Sequence, residues 1–397
     1  MRIIHIYARK PHPRIWGERV DVRFWKMSEW LHNNGFDVAG ITKGEKSERK
    51  YFEGIETFRV PSRGIADFAL KVSSLLLKLD KEKGIDIIHG HRHSGVLPAL
   101  IAKKLGLKSS VIFDYHDPWS GESHMTEPNL WQRLKTGLFR HLEGFIARNC
   151  DHIFVVTEFQ ADILAKKHGL SKSKFTVVYN MAKKDVFKPS LSDKEKFGFT
   201  GKKIVFFVGS IVPYFGIHLL VDAASLVVKK VPNAVFVIKG VFHDKDYGEK
   251  IMKQIRDNGL AKHFIIIKEW LDEEKLAAMM ASADIAAIMH MPTLLTETAS
   301  PDKLYEYLAS GLPVVSTNLK NLRKWVLPKK TGLLAHHNPE DIAQAIIKLL
   351  TDDDLRKMIS KNARRLCENK WNWDNEMGKV ESVYQKLAKG NHSKRLL

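Results

Sequence analysis

The sequence predicts an α/β protein made of two doubly wound, Rossmann-like domains in series. Three observations predict it. Short apolar runs alternate with amphipathic stretches almost from end to end, which implies parallel sheets covered by helices on both faces. The alternation lapses once, around residues 183 to 202, in the polar and turn-rich KKDVFKPSLSDKEKFGFTGK, and then restarts. Neither half opens with GxGxxG, which argues against a nicotinamide or flavin enzyme. The boundaries that follow are an N-terminal domain over residues 1–185, a C-terminal domain over 186–373, and a last helix over 374–397 that packs back on the first domain.

The elements follow in order. RIIHIYA reads as a buried first strand, and VDVRFWKMSEWLHNNG as a helix stopped by Gly35. FDVAGIT is a strand, a helix follows over residues 66 to 83, and DIIHGH is the next strand. GVLPALIAKKLG is helical, SSVIFDYHD is a strand, and DHIFVVT and FTVVYN close the first half. In the second half KIVFFVG, AVFVIKG, FIIIKEW, DIAAIMH, PVVST and GLLAHH are strands. GIHLLVDAASLVVKKV, EEKLAAMMASA, PDKLYEYLASG and EDIAQAIIKLL are the helices between them. Two such domains leave a cleft along the C-terminal edges of their strands, where doubly wound folds bind ligands.

Composition narrows the class. With 44% hydrophobic and 27% charged residues over 397, the chain is that of a globular protein with sizeable cores. No apolar run is long enough to cross a membrane, and the N-terminus reads as a strand rather than a leader. The two cysteines, Cys150 and Cys367, read as buried thiols in a reducing cytoplasm. The net charge of +19 attracts anions: nucleic acid, anionic lipid or phosphorylated small molecules.

One residue breaks the local rules. In SPDKLYEYLASGLPVVS, Ser300 suits an N-cap, Pro301 a first helical position and Gly311 a stop. Lys303 then places a cation in the first turn, where the helix dipole is already positive. That is unfavourable when the site is empty and favourable when a phosphate is bound at the helix N-terminus. Glu306, three residues on, lies on the same face and suits a bidentate contact to vicinal ribose hydroxyls. The other reading of the pair is an i,i+3 salt bridge on a solvated face.

SPDKLYEYLASGLPVVST resembles the donor-site signature of retaining glycosyltransferases of family four, which have the GT-B fold. DIIHGH, VIFDYHD, DHIFVVTEFQADIL, VVYNMAKKDVF, FVGSIVPYFGIHLLVDAA, TGLLAHHNPEDIAQAIIKLL and WNWDNEMGKVESVY resemble other parts of that family, in order, over nearly the whole chain. The resemblance implies transfer of a sugar from a nucleotide diphosphate to an acceptor without a metal or other cofactor. It implies that Glu306 binds the ribose, and that Lys303 and the backbone of Ser300, Pro301, Asp302 and Leu304 face the diphosphate. His116 falls where the family has a histidine near the sugar. The acceptor expected is a sugar or a lipid-linked sugar, at the inner face of the membrane if the positive charge is used there. No nucleic-acid partner is expected.

The chain departs from that family in three places. The usual Gly-Arg and Lys-Gly after the first donor-domain strand read Gly209-Ser210 and Phe215-Gly216, so two phosphate cations are absent and Lys239 is the candidate replacement. The first of two glutamates eight residues apart falls at Thr298, with Glu297 adjacent. Paired glycines before the first helix read Ile15-Trp16, with Gly17 next, and a tryptophan there suggests a stacking wall for an acceptor. HGHRH places His89, His91 and His93 on one face if the strand continues; no carboxylate or cysteine lies near in sequence, so histidines lining the acceptor side are expected rather than a metal. PNLWQRLKTGLFRHLEGFIARN carries Leu130, Leu134, Leu138 and Leu142 on one stripe among basic residues. It reads as a helix packed on the first sheet, or as one that touches an anionic membrane. The rival functions are a nucleotide-sugar epimerase of the same fold and a non-catalytic binder of nucleic acid or anionic lipid.

Overall fold

The structure is a computed structural model that describes residues 1–10, 22–116, 130–190 and 194–395. The chain forms two compact units, Met1–Tyr179 with Glu376–Leu397, and Asn180–Asn375. The expected boundary at 185 moves to Tyr179 for a local reason. The backbone N–H of Tyr179 donates to the Glu376 carboxylate at 2.8 Å, within the first unit. The next residue, Asn180, donates through its backbone N–H to Ser300 Oγ at 3.3 Å and through its side chain to the Ser300 carbonyl at 3.2 Å, within the second.

The first unit is built on eight strands: β1 (Arg2–Tyr7), β2 (Asp37–Gly44), β3 (Glu48–Phe52), β4 (Ile55–Pro61), β5 (Ile87–His91), β6 (Ser110–Tyr115), β7 (His152–Val155) and β8 (Phe175–Val177). Their order in the sheet is β3-β4-β2-β1-β5-β6-β7-β8. All neighbours pair in parallel except the β3–β4 hairpin. The central strands are buried along their whole length, as their unbroken apolar runs require when helices cover both faces. The hairpin was not among the expected elements. Its signal is Glu53-Gly54, which take φ of 49° and 79° between Phe52 and Ile55. Two adjacent positive φ values are what a two-residue hairpin turn demands.

The second unit carries β9 (Lys203–Val208), β10 (Ala234–Lys239), β11 (Phe264–Ile267), β12 (Ile285–Ile288), β13 (Val314–Thr317) and β14 (Gly332–Ala335). They form one parallel sheet in the order β11-β10-β9-β12-β13-β14. All six strands coincide with those expected. The order reverses beside β9, so the C-terminal ends of β9 and β12 flank the switch point where such sheets bind ligands. The helix Lys245–Asp257, between β10 and β11, was not expected.

The turn that ends β5 shows how tightly the first unit is drawn. A Cβ on Gly90 would meet the backbone N and Cα of Val96 at 2.6 Å. Gly90→Ala is therefore expected to destabilise this unit by about 1–3 kcal/mol through overpacking against backbone that cannot give way. Urea unfolding measures it, and an unchanged midpoint would contradict the close approach.

Candidate functional site

The helix Asp302–Ala309 takes Pro301 as its N-cap, with no side-chain cap. Ser300 is thus not the cap that the sequence suggested. Its hydroxyl bonds Tyr305 Oη at 2.9 Å instead, and receives the Asn180 N–H. The helix is pinned to the sheet by Tyr307, whose hydroxyl accepts the Val208 N–H at 2.7 Å at the end of β9. That fastening carries Lys303 over β9.

Lys303 is buried, and its ammonium has no hydrogen-bond partner among the described residues. It does not form the salt bridge with Glu306 that was the alternative reading. Its Nζ lies 4.6 Å from the centroid of Phe207 and 4.3 Å from that of Phe215. Two aromatic faces attract a cation, but they do not replace a hydrogen-bond acceptor. Burial lowers its pKa to about 7, although Glu306 and Asp302 pull the other way. Phe215 also stacks on His290, with centroids 4.7 Å apart. His290 is fully buried, and neither ring nitrogen has a partner among the described residues. Burial, with the Lys303 charge second, holds it well below the usual histidine range and so neutral. An ammonium and an imidazole, both desolvated and both lacking acceptors, form a set of donors whose complement is an anion.

Gly209 permits this arrangement. It takes a φ of 140°, and a Cβ there would sit 2.5 Å from Lys303 Nζ. Ser210 is half-buried beside it. Lys239 ends β10 in register with Val208, largely buried; burial lowers its pKa, partly offset by Glu269. The preceding short helix, Leu294–Thr298, is capped by Thr293. Thr298 is buried and donates back to the Leu294 carbonyl at 2.7 Å, while Glu297 beside it is half-buried. His290 was missed in the sequence, although DIAAIMH showed it just past the end of a buried strand. A concavity of about 920 Å³ lies elsewhere in this unit, along the helix Lys245–Asp257. Lys303, His290, Phe207 and Phe215 do not line it. Its mixed wall of Lys245, Lys250, Lys253, Asp246 and Glu249 is ordinary solvated charge, so the site is placed by chemistry rather than by volume.

The first unit gathers a second set of groups. His5 on β1, His89 and His91 on β5, Asp114 on β6 and His116 just beyond it come together at adjacent strands. The expectation that His93 shares their face is not met. The strand ends at His91, the helix Arg92–Lys104 begins at once with Arg92 at a φ of 59°, and His93 lies in its first turn. His93 is buried 3.4 Å from Glu143, against Phe113 and Tyr115. His5 and His116 take its place, and β6 supplies the carboxylate that was not near in sequence. His91 Nδ1, Asp114 Oδ2 and His116 Nε2 are close enough to hold an ion together, as are His5, His89 and His91. However, the imidazoles bond one another, and Arg23 Nε contacts the two oxygens of Asp114 at 3.2 and 2.9 Å. An ion at Asp114 would have to compete with that guanidinium.

Trp16 and Gly17 lie outside the described residues, as do the side chains of Leu130 and Leu134. On the helix Leu130–Asn149 the leucine stripe is not all packed. Leu138 is 68% exposed, whereas Leu142, Phe145 and Ile146 join the core. Among the described residues no helix is long and apolar enough to cross a membrane.

Comparison with known proteins follows this geometry. Residues 190–366 match the family described as "Glycosyl transferases group 1", and residues 20–184 match "Glycosyltransferase Family 4". An uncharacterized glycosyltransferase of Methanocaldococcus jannaschii is 23% identical, over 90% of this chain and 92% of its own. The UDP-Gal:alpha-D-GlcNAc-diphosphoundecaprenol alpha-1,3-galactosyltransferase of Escherichia coli is 24% identical over 90% of both. Among solved structures, sucrose-phosphate synthase from Thermosynechococcus elongatus superposes with a TM-score of 0.80 at 16% identity, covering 98% of this chain and 99% of its own. Anabaena HepE in complex with UDP-glucose superposes with a TM-score of 0.75 at 15% identity, over 97% of this chain and all of that one (100%). The fold is GT-B.

The lowered pKa of Lys303 has a consequence for stability. Between pH 7 and the ordinary lysine value near ~10.4, the unfolded chain holds a proton on this residue that the folded chain has released. The burial penalty is therefore fully present below about pH 7 and is relieved as pH rises through that window. Urea unfolding of the protein and of Lys303→Met at about pH 7 and pH 9.5 is expected to show the parent gaining on the variant at the higher pH. Parallel pH curves would contradict it.

Proposed function

We propose that this chain, which belongs to the group 1 glycosyltransferases, moves a hexose from a nucleoside diphosphate sugar to a hydroxyl of a lipid-linked or growing glycan, with retention at the anomeric carbon. The observation that carries the reading is the buried Lys303 ammonium, which has no acceptor among the described residues, held beside a buried neutral His290 at the sheet's switch point. In the transfer, the bond from the anomeric carbon to the diphosphate oxygen breaks and its electron pair leaves with the diphosphate. The acceptor oxygen forms the new bond, and its proton passes to the departing diphosphate.

Charge develops on the leaving diphosphate as that bond breaks, and a cation already desolvated at that place stabilises it without reorganising solvent. Lys303 meets this need without a metal in the donor site. Phe207 and Phe215 hold the ammonium in position, and Gly209 gives it room. Glu306 holds the ribose hydroxyls. Ser210, Lys239, Glu297 and the backbone from Ser300 to Leu304 complete the donor side. His116 meets a hydroxyl of the transferred sugar.

A lipid-linked acceptor is supported by the Escherichia coli relative, whose name specifies a diphosphoundecaprenol substrate. The net charge of +19 and the exposed Leu138 support work at an anionic membrane face. The relatives compared above do not favour an epimerase or a non-catalytic binder.

Calorimetry with uridine, guanosine and adenosine diphosphates tests the donor reading. Lys303→Gln is expected to weaken the preferred nucleotide about 10–100-fold, the loss of a hydrogen bond to a charged group. Glu306→Gln is expected to weaken the nucleotide but not inorganic pyrophosphate, which has no ribose. Unchanged affinity in both variants would overturn the assignment.

A further inference from the structure

The buried groups of the first unit form a continuous chain. Asp114 Oδ2 lies 3.2 Å from His89 Nε2, a close charge contact that falls short of hydrogen-bond geometry, and the links after it are hydrogen bonds. His89 Nδ1 meets Tyr384 Oη at 2.5 Å, and Tyr384 Oη meets His5 Nε2 at 3.3 Å. His5 Nδ1 meets His91 Nε2 at 3.2 Å, and His91 Nδ1 meets His116 Nε2 at 3.2 Å. Every imidazole before His116 is fully buried, while His116 is only partly so. Tyr384 arrives from the last helix, Trp373–Arg395, from the part of that helix belonging to this unit.

A neutral imidazole has one N–H and one lone pair, so fixing one nitrogen fixes the other. Burial holds His5, His89 and His91 neutral, and it keeps Tyr384 protonated. Burial works against the Asp114 carboxylate, yet Arg23 keeps it ionised. The chain can therefore run in only two directions. In one, His89 Nε2–H faces the carboxylate, Tyr384 donates to His89, His5 to Tyr384, His91 to His5 and His116 to His91. Two N–H groups, on His89 at 3.2 Å and His116 at 3.7 Å, then face Asp114, and one lone pair, on His91 at 3.4 Å, does so. In the reverse direction two lone pairs face the anion and one N–H does. Among the described residues Ser28 favours the reverse, because its hydroxyl donates to the Phe24 carbonyl and offers His5 Nδ1 only an acceptor, at 3.3 Å. A neutral acceptor at that length does not outweigh a buried carboxylate facing an additional lone pair.

We propose that Asp114, acting through His89, Tyr384, His5 and His91 in turn, sets the tautomer of His116, which carries its proton on Nε2 and presents a bare Nδ1 as acceptor. His89, Tyr384, His5 and His91 are positioning residues. The inference rests on the glycosyl-transfer reading only for what Nδ1 meets, a donor hydroxyl of the bound sugar. The tautomer itself belongs to the protein without substrate. It also gives the last helix a chemical role, since Tyr384 closes the relay between β5 and β1.

Long-range proton–nitrogen spectra of protein labelled with 15N-histidine read each tautomer directly, with His116 assigned by the signal lost in His116→Gln. The expected result is a single Nε2–H tautomer with an unprotonated Nδ1 at His116. Tyr384→Phe cuts the chain and is expected to give a mixture at His116. The apparent KM for the donor should then rise as the Nε2–H fraction falls, because only that tautomer accepts from the sugar hydroxyl. If Tyr384→Phe does not fold, His5→Asn cuts the next link and carries the same expectation. An Nδ1–H tautomer in the parent protein, or an unaltered His116 spectrum in a folded cut variant, would overturn the inference. A parent protein with the expected tautomer but no donor binding would instead sink the transferase reading alone.

Discussion

The second unit is organised around a cation that is buried without a hydrogen-bond acceptor among the described residues. Lys303 sits between two aromatic rings, with a neutral histidine stacked against one of them. Such a group costs folding free energy, and burial has already lowered its pKa to about 7. Several neighbouring features make sense as supports for it. Tyr307 ties its helix to the end of β9, Gly209 forgoes a side chain above it, and Asn321 clamps the carbonyls of Thr296 and Ala299, both at 2.8 Å, in the segment before the helix. A bound diphosphate, as proposed above, would offset this cost.

Set beside the imidazole chain, the site shows two uses of burial. In the second unit, burial strips a lysine of its solvent so that it meets charge strongly. In the first unit, burial removes the choice of protonation state from three histidines, so that a carboxylate can dictate hydrogen-bond direction several groups away. Each arrangement depends on the C-terminal ends of parallel strands, where side chains from neighbouring strands converge without sharing a stretch of sequence.

Much of the fold was legible because both sheets, apart from the β3–β4 pair, are parallel and covered by helices, which writes most strands as unbroken apolar runs. The six strands of the second unit could be read this way. The β3–β4 hairpin could not, because it is half-solvated and its signal is the dipeptide Glu53-Gly54 rather than a run. Lys303 was legible as an anomaly because a lysine in a helix's first turn violates a local rule, and the structure buries it. Phe215 was legible only as a missing cation. Its positive contribution, a ring against the lysine, depends on a contact 88 residues away in sequence (303 − 215). The histidines were misgrouped for a related reason. Alternation in HGHRH assumes a strand that continues, whereas Arg92 turns the chain into a helix and sends His93 to Glu143. Asp114, His5 and Tyr384 join His89 and His91 only through sheet order and the returning last helix, neither of which alternation encodes.

The most direct measurement is the pKa of Lys303 itself, followed by NMR of 13C-labelled lysine and assigned with Lys303→Gln, without and with a saturating nucleoside diphosphate. The buried-cation reading expects a value near 7 in the free protein that rises toward or past the ordinary lysine value when the diphosphate is bound. A lysine that titrates normally in the free protein, or that does not respond to any nucleoside diphosphate, would contradict it.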